Sequence, residues 1–283
     1  ASRRPQLLTT LTASEENITF SADQWRSILL KNSKTILILA RSREHPQLLQ
    51  SLERCITKIN LSTEEWISIV VRHPLTLSCL LAACKAYNLR YLQEKTLSSI
   101  LSMSSANWKA ILIKEASIIS YIVDEAKNGQ PNLLTALSSH LNDINLTVDQ
   151  WRHIIITAHG TIGSIALAAA HDRRQLLEAL VPHLDDISLT ADQWRHIIIK
   201  HPLTICCIAR LAEQGNPELL EALAPHLDDI SLTADQWRDI IISAPLTICS
   251  IAMAAANGKP QLLLALAPHL NDINLTADQW CHI

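Results

Sequence analysis

The fold is decided by the stretch Leu232-Thr233-Ala234-Asp235-Gln236-Trp237, which occurs seven times along the chain in close variants. The tryptophans that end the copies are Trp25, Trp66, Trp108, Trp151, Trp194, Trp237 and Trp280, which are all the tryptophans of the sequence. Successive copies lie 41, 42 and then four times 43 residues apart. A motif that returns at such a period indicates an array of structural repeats.

Each copy carries two signals that begin an α-helix. A hydroxyl residue such as Thr233 lies four positions before the tryptophan, and an amide or acid such as Gln236 lies one position before it. With the hydroxyl as N-cap, the amide or acid occupies N3, which is the arrangement of a capping box. The apolar residue five positions before the tryptophan, here Leu232, pairs with it as a hydrophobic staple. The motif therefore predicts the start and the entry angle of the first helix in every repeat.

The period divides residues 1–283 into a single helical-repeat domain with incomplete ends. Full repeats are predicted at 21–61, 62–103, 104–146, 147–189, 190–232 and 233–275, with a partial repeat at 1–20 and a truncated one at 276–283. Residues Pro5-Gln6-Leu7-Leu8 match Pro260-Gln261-Leu262-Leu263, so we expect the chain to open inside the third helix of a preceding repeat. Natural arrays end in polar capping repeats, which neither end has. We therefore expect a fragment of a longer array, with end-to-end self-association through its stacking surfaces.

Repeat 5 shows the predicted helices most clearly. The first helix runs from about Ala191 to Lys200 with an apolar face at Ile197, Ile198 and Ile199. Pro202 suits the first turn of a second helix that continues to about Gln214. Its apolar positions form one stripe, namely Ile205, Ile208, Ala209 and Ala212.

Glycine and proline delimit the third helix of the repeat. Gly215 is placed as the C′ residue of the second helix, and Pro217 opens the third. Pro225 lies inside the third helix and predicts a kink there, whereas repeat 3 has Ser139 at this position. In repeat 4, Gly160 and Gly163 are expected to loosen the start of the second helix, and His171-Asp172-Arg173-Arg174 replaces the glycine turn.

Composition favours helices throughout, because Leu, Ile and Ala supply the apolar residues while the chain has five Gly, one Phe and three Tyr. The predicted fold class is all-α, a right-handed α-solenoid of about six three-helix repeats of 41–43 residues. This arrangement resembles the armadillo and HEAT repeat families. The second and third helices also resemble an ankyrin pair, as in Pro202-Leu203-Thr204 followed by Ala212-Glu213-Gln214-Gly215-Asn216-Pro217, although a third helix stands where ankyrin repeats have a β-hairpin. The resemblance implies a protein–protein interaction scaffold, and it implies no catalytic residue.

The overall composition excludes several classes of function. The net charge is −3 with acids and bases interspersed, which is not typical of a general polyanion binder. No apolar run approaches the roughly 20 residues of a membrane-spanning helix, and the N-terminus is not a signal peptide, so no membrane partner is expected. The seven cysteines form no C-x-x-C motif and lie in helical contexts. They are interpreted as small core residues in a reducing, cytoplasmic compartment.

Two ladders of polar residues recur in register with the repeats. The histidines are His140, His183, His226 and His269 in one ladder and His153, His196 and His282 in another. Equivalent side chains of neighbouring repeats lie roughly 8–10 Å apart, too far to share one metal ion, so no metal site is expected. A basic ladder follows the tryptophans at Arg26, Lys109, Arg152, Arg195 and Arg238.

The basic ladder raises an alternative function, a sequence-tolerant nucleic-acid-binding helical repeat. The L-T-x-x-Q pattern of Leu232, Thr233 and Gln236 resembles the opening of TAL-effector DNA-binding repeats. However, an aspartate three residues before four of these bases predicts ion pairs within one helix. An acidic edge at Asp143, Asp186, Asp229 and Asp272 would also repel phosphates. Nucleic acid is therefore an unlikely partner.

Motifs of the common enzyme classes are absent, so we expect neither catalysis nor a cofactor. Gly160-Thr161-Ile162-Gly163 matches the GXXG loop of KH domains but falls in a helix turn, where the match is interpreted as chance. A cysteine nucleophile at Cys206 near His201 stays open as an alternative, although repeat 6 has Ala244 in place of the histidine.

The partner surface is predicted along the second helices, on the concave face of the array. Positions 11, 14, 15 and 18 after each tryptophan stay apolar, whereas positions 13, 16, 17 and 20 lie on the opposite side and vary. Variable residues on one face are expected to contact a protein or peptide. The predicted contact residues are Arg41, His45, Tyr121, Asp124, Glu125, Asn128, Leu167, His171, Arg210, Gln214, Met253 and Asn257, with a rim of Tyr87, Arg90, Tyr91, Arg173 and Arg174. Drift on a solvated surface is the alternative to binding.

Overall fold

The computed structural model describes residues 20–41, 46–276 and 279. The regular secondary structure of these residues is helical and contains no β-strand, which confirms the prediction of an all-α fold. The chain divides into two units, one ending at Ile111 and the other beginning at Leu112. The predictions for Pro5–Leu8, His45, Trp280 and His282 fall outside the described residues.

The unit that ends at Ile111 has three helices in each of repeats 1 and 2. They are α1 (Ala22–Lys31), α2 (Lys34–Arg41), α3 (Pro46–Cys55), α4 (Thr63–Arg72), α5 (Leu75–Tyr87) and α6 (Arg90–Leu101). Corresponding helices pack side by side, α1 on α4, α2 on α5 and α3 on α6. One apolar core that includes Trp25, Leu52, Trp66 and Leu80 runs through both repeats.

The second unit has the same order of helices. The boundary between the units lies inside α7 (Ser105–Lys114), and the unit continues with α8 (Ile118–Lys127), α9 (Asn132–Ile144), α10 (Val148–Thr157), α11 (Thr161–Ala169), α12 (Gln175–Leu180), α13 (Leu184–Ile187), α14 (Ala191–Lys200), α15 (Leu203–Glu213), α16 (Glu218–Leu223), α17 (Leu227–Ile230), α18 (Ala234–Ser243), α19 (Thr247–Ala256) and α20 (Gln261–Leu266). The second helices of repeats 3 to 6 form one row, because α8 packs on α11, α11 on α15 and α15 on α19.

The predicted capping boxes begin the first helices. In repeat 5 the backbone N–H of Gln193 donates to Thr190 Oγ1 at 3.3 Å, and Gln193 Oε1 accepts from the backbone N–H of Thr190 at 2.9 Å. The same pair of bonds is present at Ser21, Ser62, Thr147, Thr233 and Thr276. At Ser104 the hydroxyl accepts from the N–H of Asn107 at 3.3 Å.

The staple is confirmed by the burial of its tryptophans. All six described tryptophans are at most 2% exposed. The apolar residue before the cap is buried in five copies, whereas Phe20 and Leu275 are half-buried. Phe20 lies edge to face with Trp25 at a centroid distance of 5.0 Å. The tryptophan lies inside the helix and packs against the apolar residue before the cap. This contact fixes the direction in which the chain enters each first helix.

Proline interrupts the third helix as predicted. Residues Ala224–His226 form a single 3₁₀ turn around Pro225, between α16 and α17. Repeats 4 and 6 have the same turn at Val181–His183 and Ala267–His269. In repeat 3 the equivalent residue is Ser139, whose backbone N–H can donate, and α9 runs without a break.

Two details of the helices correct the sequence interpretation. Ile199 is exposed, whereas Ile197 and Ile198 are buried, because three consecutive residues of an α-helix span more than half a turn. Gly163 does not loosen α11. A Cβ at this position would lie 2.9 Å from Thr204 Oγ1 and 3.3 Å from Thr204 Cα, so the glycine allows α11 and α15 to approach closely.

Among the described helices, none is by itself long and apolar enough to cross a membrane. Two consecutive pairs satisfy the same criteria of length and composition jointly, α4 with α5 and α18 with α19, but they are bent by 109° and 101°.

Candidate functional site

The second helices are buried more completely than the sequence predicts. In α15, eight of eleven residues are buried, including Cys207 and Leu211, at the predicted outward positions 13 and 17. The equivalent Ser250 and Ala254 of α19 are buried too. Ser250 Oγ lies 3.6 Å from Cys206 Sγ of the preceding second helix. Because these positions are buried, the variable set does not form one exposed face.

Residues nine and sixteen positions after the tryptophan of each repeat remain on the surface. They define an outer strip, which consists of Leu167, Leu203, Arg210, Leu246 and Met253. Leu203 and Leu246 are 58% and 61% exposed, and Met253 is 45% exposed. Arg210 and Leu167 are half-buried. Residues seven apart, such as Leu203 and Arg210, lie on one face of a helix. The outer strip therefore exposes three large apolar side chains in repeats 5 and 6, namely Leu203, Leu246 and Met253.

Other predicted contact residues have roles inside the stack. The Gln214 side chain donates to the carbonyl oxygen of Ala170 at 3.2 Å, and Asn257 donates to that of Glu213 at 3.1 Å. Each amide thus satisfies a carbonyl at the C-terminal end of the preceding second helix. Glu125 is only 8% exposed, which corrects its placement on the accessible face.

The remaining predicted residues of this unit lie at the surface of the helix ends and turns. On α8, Asp124 is exposed and Tyr121 half-buried. The following turns expose Asn128, His171 and Arg174, whereas Arg173 is half-buried.

In the first unit, the predicted rim is organised by a glutamate that the sequence did not single out. Both carboxylate oxygens of Glu53 accept backbone N–H bonds at the start of α6, from Tyr91 at 2.9 Å and Leu92 at 2.7 Å. A carboxylate at a helix N-terminus stabilises it electrostatically. Tyr91 and Arg90 are exposed at this end, Arg41 is exposed at the end of α2, and Tyr87 is half-buried.

The basic ladder binds atoms of its own chain. The predicted i,i+3 pairs form between Arg152 and Asp149 at 3.5 Å and between Arg238 and Asp235 at 2.9 Å. Arg152 also donates to the carbonyl oxygen of Ile187 at 2.7 Å, which ends the third helix of its repeat.

Two of the predicted intrahelical pairs are wrong. Arg26 instead contacts Glu65 at 2.7 Å, and Arg195 donates to Gln236 at 3.4 Å. Both acceptors are the N3 residue of the next capping box, which lies within reach of a long guanidinium side chain.

Three histidines gather at the turn between α10 and α11. The ring of His159 lies 4.4 Å from that of His196 and 6.3 Å from that of His201, measured between centroids. Burial lowers the pKa of His159, and His196, His201 and Lys200 lower it further. Burial also lowers the pKa of His201. No group of three or more His, Cys, Asp or Glu side chains in the described part of the chain is arranged to hold a metal ion.

The described cysteines are free thiols: Cys55, Cys79, Cys84, Cys206, Cys207 and Cys249. Burial raises the pKa of Cys207 to about 12, and burial with the nearby Glu53 carboxylate raises that of Cys84 to about 12. Both thiols are therefore protonated at neutral pH and are poor nucleophiles. Cys206 lies 3.6 Å from Ser250 Oγ, within the stack of α15 and α19.

A pocket recurs along the third helices of the second unit. It lies where each proline interrupts its helix, and it is lined by that proline, the histidine after it and the tryptophan of the staple. The three copies contain Trp151 with Pro182, Trp194 with Pro225, and Trp237 with Pro268. Their volumes are about 200, 210 and 160 Å³, respectively.

The sequence predicts a helix break at Pro225 but does not mark any of these prolines as a pocket wall. The pocket needs the end of one third helix and the middle of the next side by side, an arrangement that no local motif reveals. The exposed leucines could have been found, because Leu203 and Leu246 are out of phase with the apolar stripe of their helices.

Comparison with models of protein families, with curated proteins and with solved structures finds no match for this chain.

Proposed function

We propose that this chain is a protein-interaction scaffold whose outer strip contacts a partner protein along the second helices. The observation that carries the proposal is the exposure of Leu203 and Leu246 at the same position of consecutive repeats, with the exposed Met253 seven residues after Leu246 on the same helix face. Exposed apolar side chains that recur in this way are typical of interaction surfaces. Arg210 beside them belongs to the residue types that dominate binding energy at interfaces.

The proposal includes the wider family and the cellular setting. The recurring three-helix unit and the row of second helices support an α-solenoid of the armadillo or HEAT kind, with an ankyrin-like second and third helix. The free cysteines support a reducing, cytoplasmic compartment. The alternative of nucleic-acid binding has weaker support, because Arg26, Arg152 and Arg238 bind carboxylates of their own chain.

Affinity capture followed by mass spectrometry tests the outer strip. The variant Leu203→Asp/Leu246→Asp should lose a partner that the unchanged chain retains. Because both side chains are exposed, its unfolding midpoint should stay within the range of surface substitutions. Leu101→Asp, which places the same charge on an exposed leucine of α6, is the control and should retain the partner. Equal capture by all three proteins would overturn the proposal.

A further inference from the structure

The three pockets of the second unit form a series with one shape. Each pocket combines the C-terminal end of one third helix with residues of the next, offset by one repeat of 43 residues. The wall contributed by the next repeat contains an alanine, Ala179, Ala222 or Ala265, followed three residues later by the proline. Small side chains and an interrupted helix leave the space open in every copy.

The size and the walls of each pocket suit a small apolar ring. A cavity of about 150 Å³ lined by apolar side chains holds a molecule of the size of benzene. The pocket around Trp194 has about 210 Å³ and is bounded by that indole, Leu184 and Pro225. Pro225 is exposed, so the pocket opens to solvent and a side chain can enter from outside.

The charge around the pockets favours a basic ligand. Asp185 lines one pocket and Asp228 the next. Neither has an ion-pair partner among the described residues. Glu221 lines the pocket beside Asp185 but pairs with Lys259 at 2.9 Å, so it contributes less. A ligand that brings Lys or Arg to the two aspartates gains charge complementarity.

The spacing of the pockets selects the conformation of the ligand. Helices of neighbouring repeats lie roughly 8–10 Å apart, which sets the distance from one pocket to the next. A polyproline II segment has three residues per turn and a rise of about 3.1 Å, so one side chain per turn recurs about every 9 Å. A β-strand returns to one face about every 6.6 Å. An α-helix returns about every 5.4 Å, or about every 10.5 Å over seven residues, so polyproline II lies closest to the spacing of the pockets.

We propose that this series of pockets binds an extended basic polypeptide in the polyproline II conformation, with a proline in each pocket and Lys or Arg beside the aspartates. Successive prolines are three residues apart. Proline-rich segments bind aromatic-lined grooves because their conformation is already fixed and little entropy is lost. The surface lies on the third helices, so it is separate from the outer strip of the second helices and does not depend on the partner proposed there.

Synthetic peptides of twelve residues test the spacing and the charge. The triplet Pro-Ala-Lys repeated four times should bind to the chain in isothermal titration calorimetry. Pro-Ala-Ala-Lys repeated three times has the same length but the wrong period, and Pro-Ala-Glu repeated four times has the wrong charge. Both should bind at least about tenfold more weakly, since the peptide with the wrong period loses the match between its prolines and the pockets and the peptide with the wrong charge loses the charge contacts with Asp185 and Asp228. Absence of binding by the first peptide, or equal affinity for all three, overturns the proposal.

The indole N–H signals in ¹H–¹⁵N NMR spectra locate the bound peptide. Signals of Trp151, Trp194 and Trp237, which line the pockets, should shift on titration. Signals of Trp25, Trp66 and Trp108, whose indole nitrogens are buried, should not. Shifts confined to the second group would contradict the assignment.

A substitution that fills one pocket provides the final test. Ala222→Leu places a larger side chain in the pocket around Trp194, and it should weaken the Pro-Ala-Lys peptide about tenfold by excluding one proline. The matched control is Ala252→Leu, the same change at an exposed position of α19, which should bind normally. Unchanged affinity of Ala222→Leu, with its melting curve intact, overturns the proposal. Because Leu203→Asp/Leu246→Asp leaves the pockets untouched, that variant should bind the peptide normally, and the two surfaces are tested separately.

Discussion

Repeat 4 (147–189) and repeat 5 (190–232) share their first helices almost residue for residue but stack their second helices differently. Both have a capping box, a buried tryptophan and a third helix that is interrupted at proline. In the second helix, repeat 4 has Gly163 where repeat 5 has Cys206, and Asp172 where repeat 5 has Gly215. The signals that begin a helix act within a few residues and are the same in both repeats. The residues that contact neighbouring repeats differ, because each second helix packs against different neighbours.

The largest expected effect concerns what the two repeats share. Trp151→Ala and Trp194→Ala should each lower the free energy of unfolding by about 3–5 kcal/mol, because both remove a large, almost fully buried side chain. Urea denaturation followed by circular dichroism measures the loss. A loss in one repeat without a comparable loss in the other would show that the staple is not an equivalent element in both.

The next largest effect on stability should differ between the two repeats, at the position where Gly163 corresponds to Cys206. Gly163→Ala should destabilise the chain by about 1–3 kcal/mol, because its Cβ would lie 2.9 Å from Thr204 Oγ1 and 3.3 Å from Thr204 Cα in α15, so both helices would have to shift. The matched Cys206→Ala removes one sulfur next to Ser250 and should cost less than about 1.5 kcal/mol. The same urea series compares them. Stabilisation by Gly163→Ala would mean that helix propensity outweighs the close contact.

At the turn after the second helix, substitutions in the two repeats should change the free energy of unfolding in opposite directions. Asp172 has φ +62° and Gly215 has φ +85°, so both occupy the left-handed region that favours glycine. Asp172→Gly should stabilise repeat 4 by roughly 0.5–1 kcal/mol, and Gly215→Asp should destabilise repeat 5 by a similar amount. A Cβ at Gly215 meets nothing within 4 Å, so conformation alone decides the result. Thermal melts that shift in the same direction for both variants would contradict this account.

The smallest effect is a dependence on pH that only the junction of repeats 4 and 5 should show. Burial and the neighbouring His196, His201 and Lys200 hold the pKa of His159 below its ordinary value. The unfolded chain therefore binds the proton more readily, so stability is full above the ordinary pKa of roughly 6.5 and falls as the pH drops through it.

Replacing His159 by proline, the residue that repeat 5 has at this position (Pro202), checks the sign of this pH dependence. His159→Pro should reduce the slope of unfolding free energy between about pH 5 and pH 8. Ala158 has φ −116° and ψ 88°, an extended conformation that a following proline accepts. His153→Ala, which removes an exposed histidine from the preceding helix α10, is the control and should leave the slope unchanged. An identical slope in His159→Pro would show that the histidine cluster does not titrate on unfolding.

The first helices and the glycine turns were predicted closely because their signals lie within a few residues. The limits Ala191–Lys200 agree with the predicted helix, and Gly215 has the predicted positive φ. The candidate site was predicted less well. Periodicity identified one buried stripe on each second helix but not the second buried side, which depends on helices of other repeats at positions such as Cys207 and Leu211.

The sequence by itself determined where helices begin, turn and break, since caps, staples, glycines and prolines act through hydrogen bonds and torsions of adjacent residues. Only the tertiary structure decided which residues are accessible. Stacking buries Glu125 and Leu211 and leaves Leu203 and Met253 at the surface. It also places Trp194 and Pro225 around one pocket, because packing joins residues of successive repeats that no local rule relates.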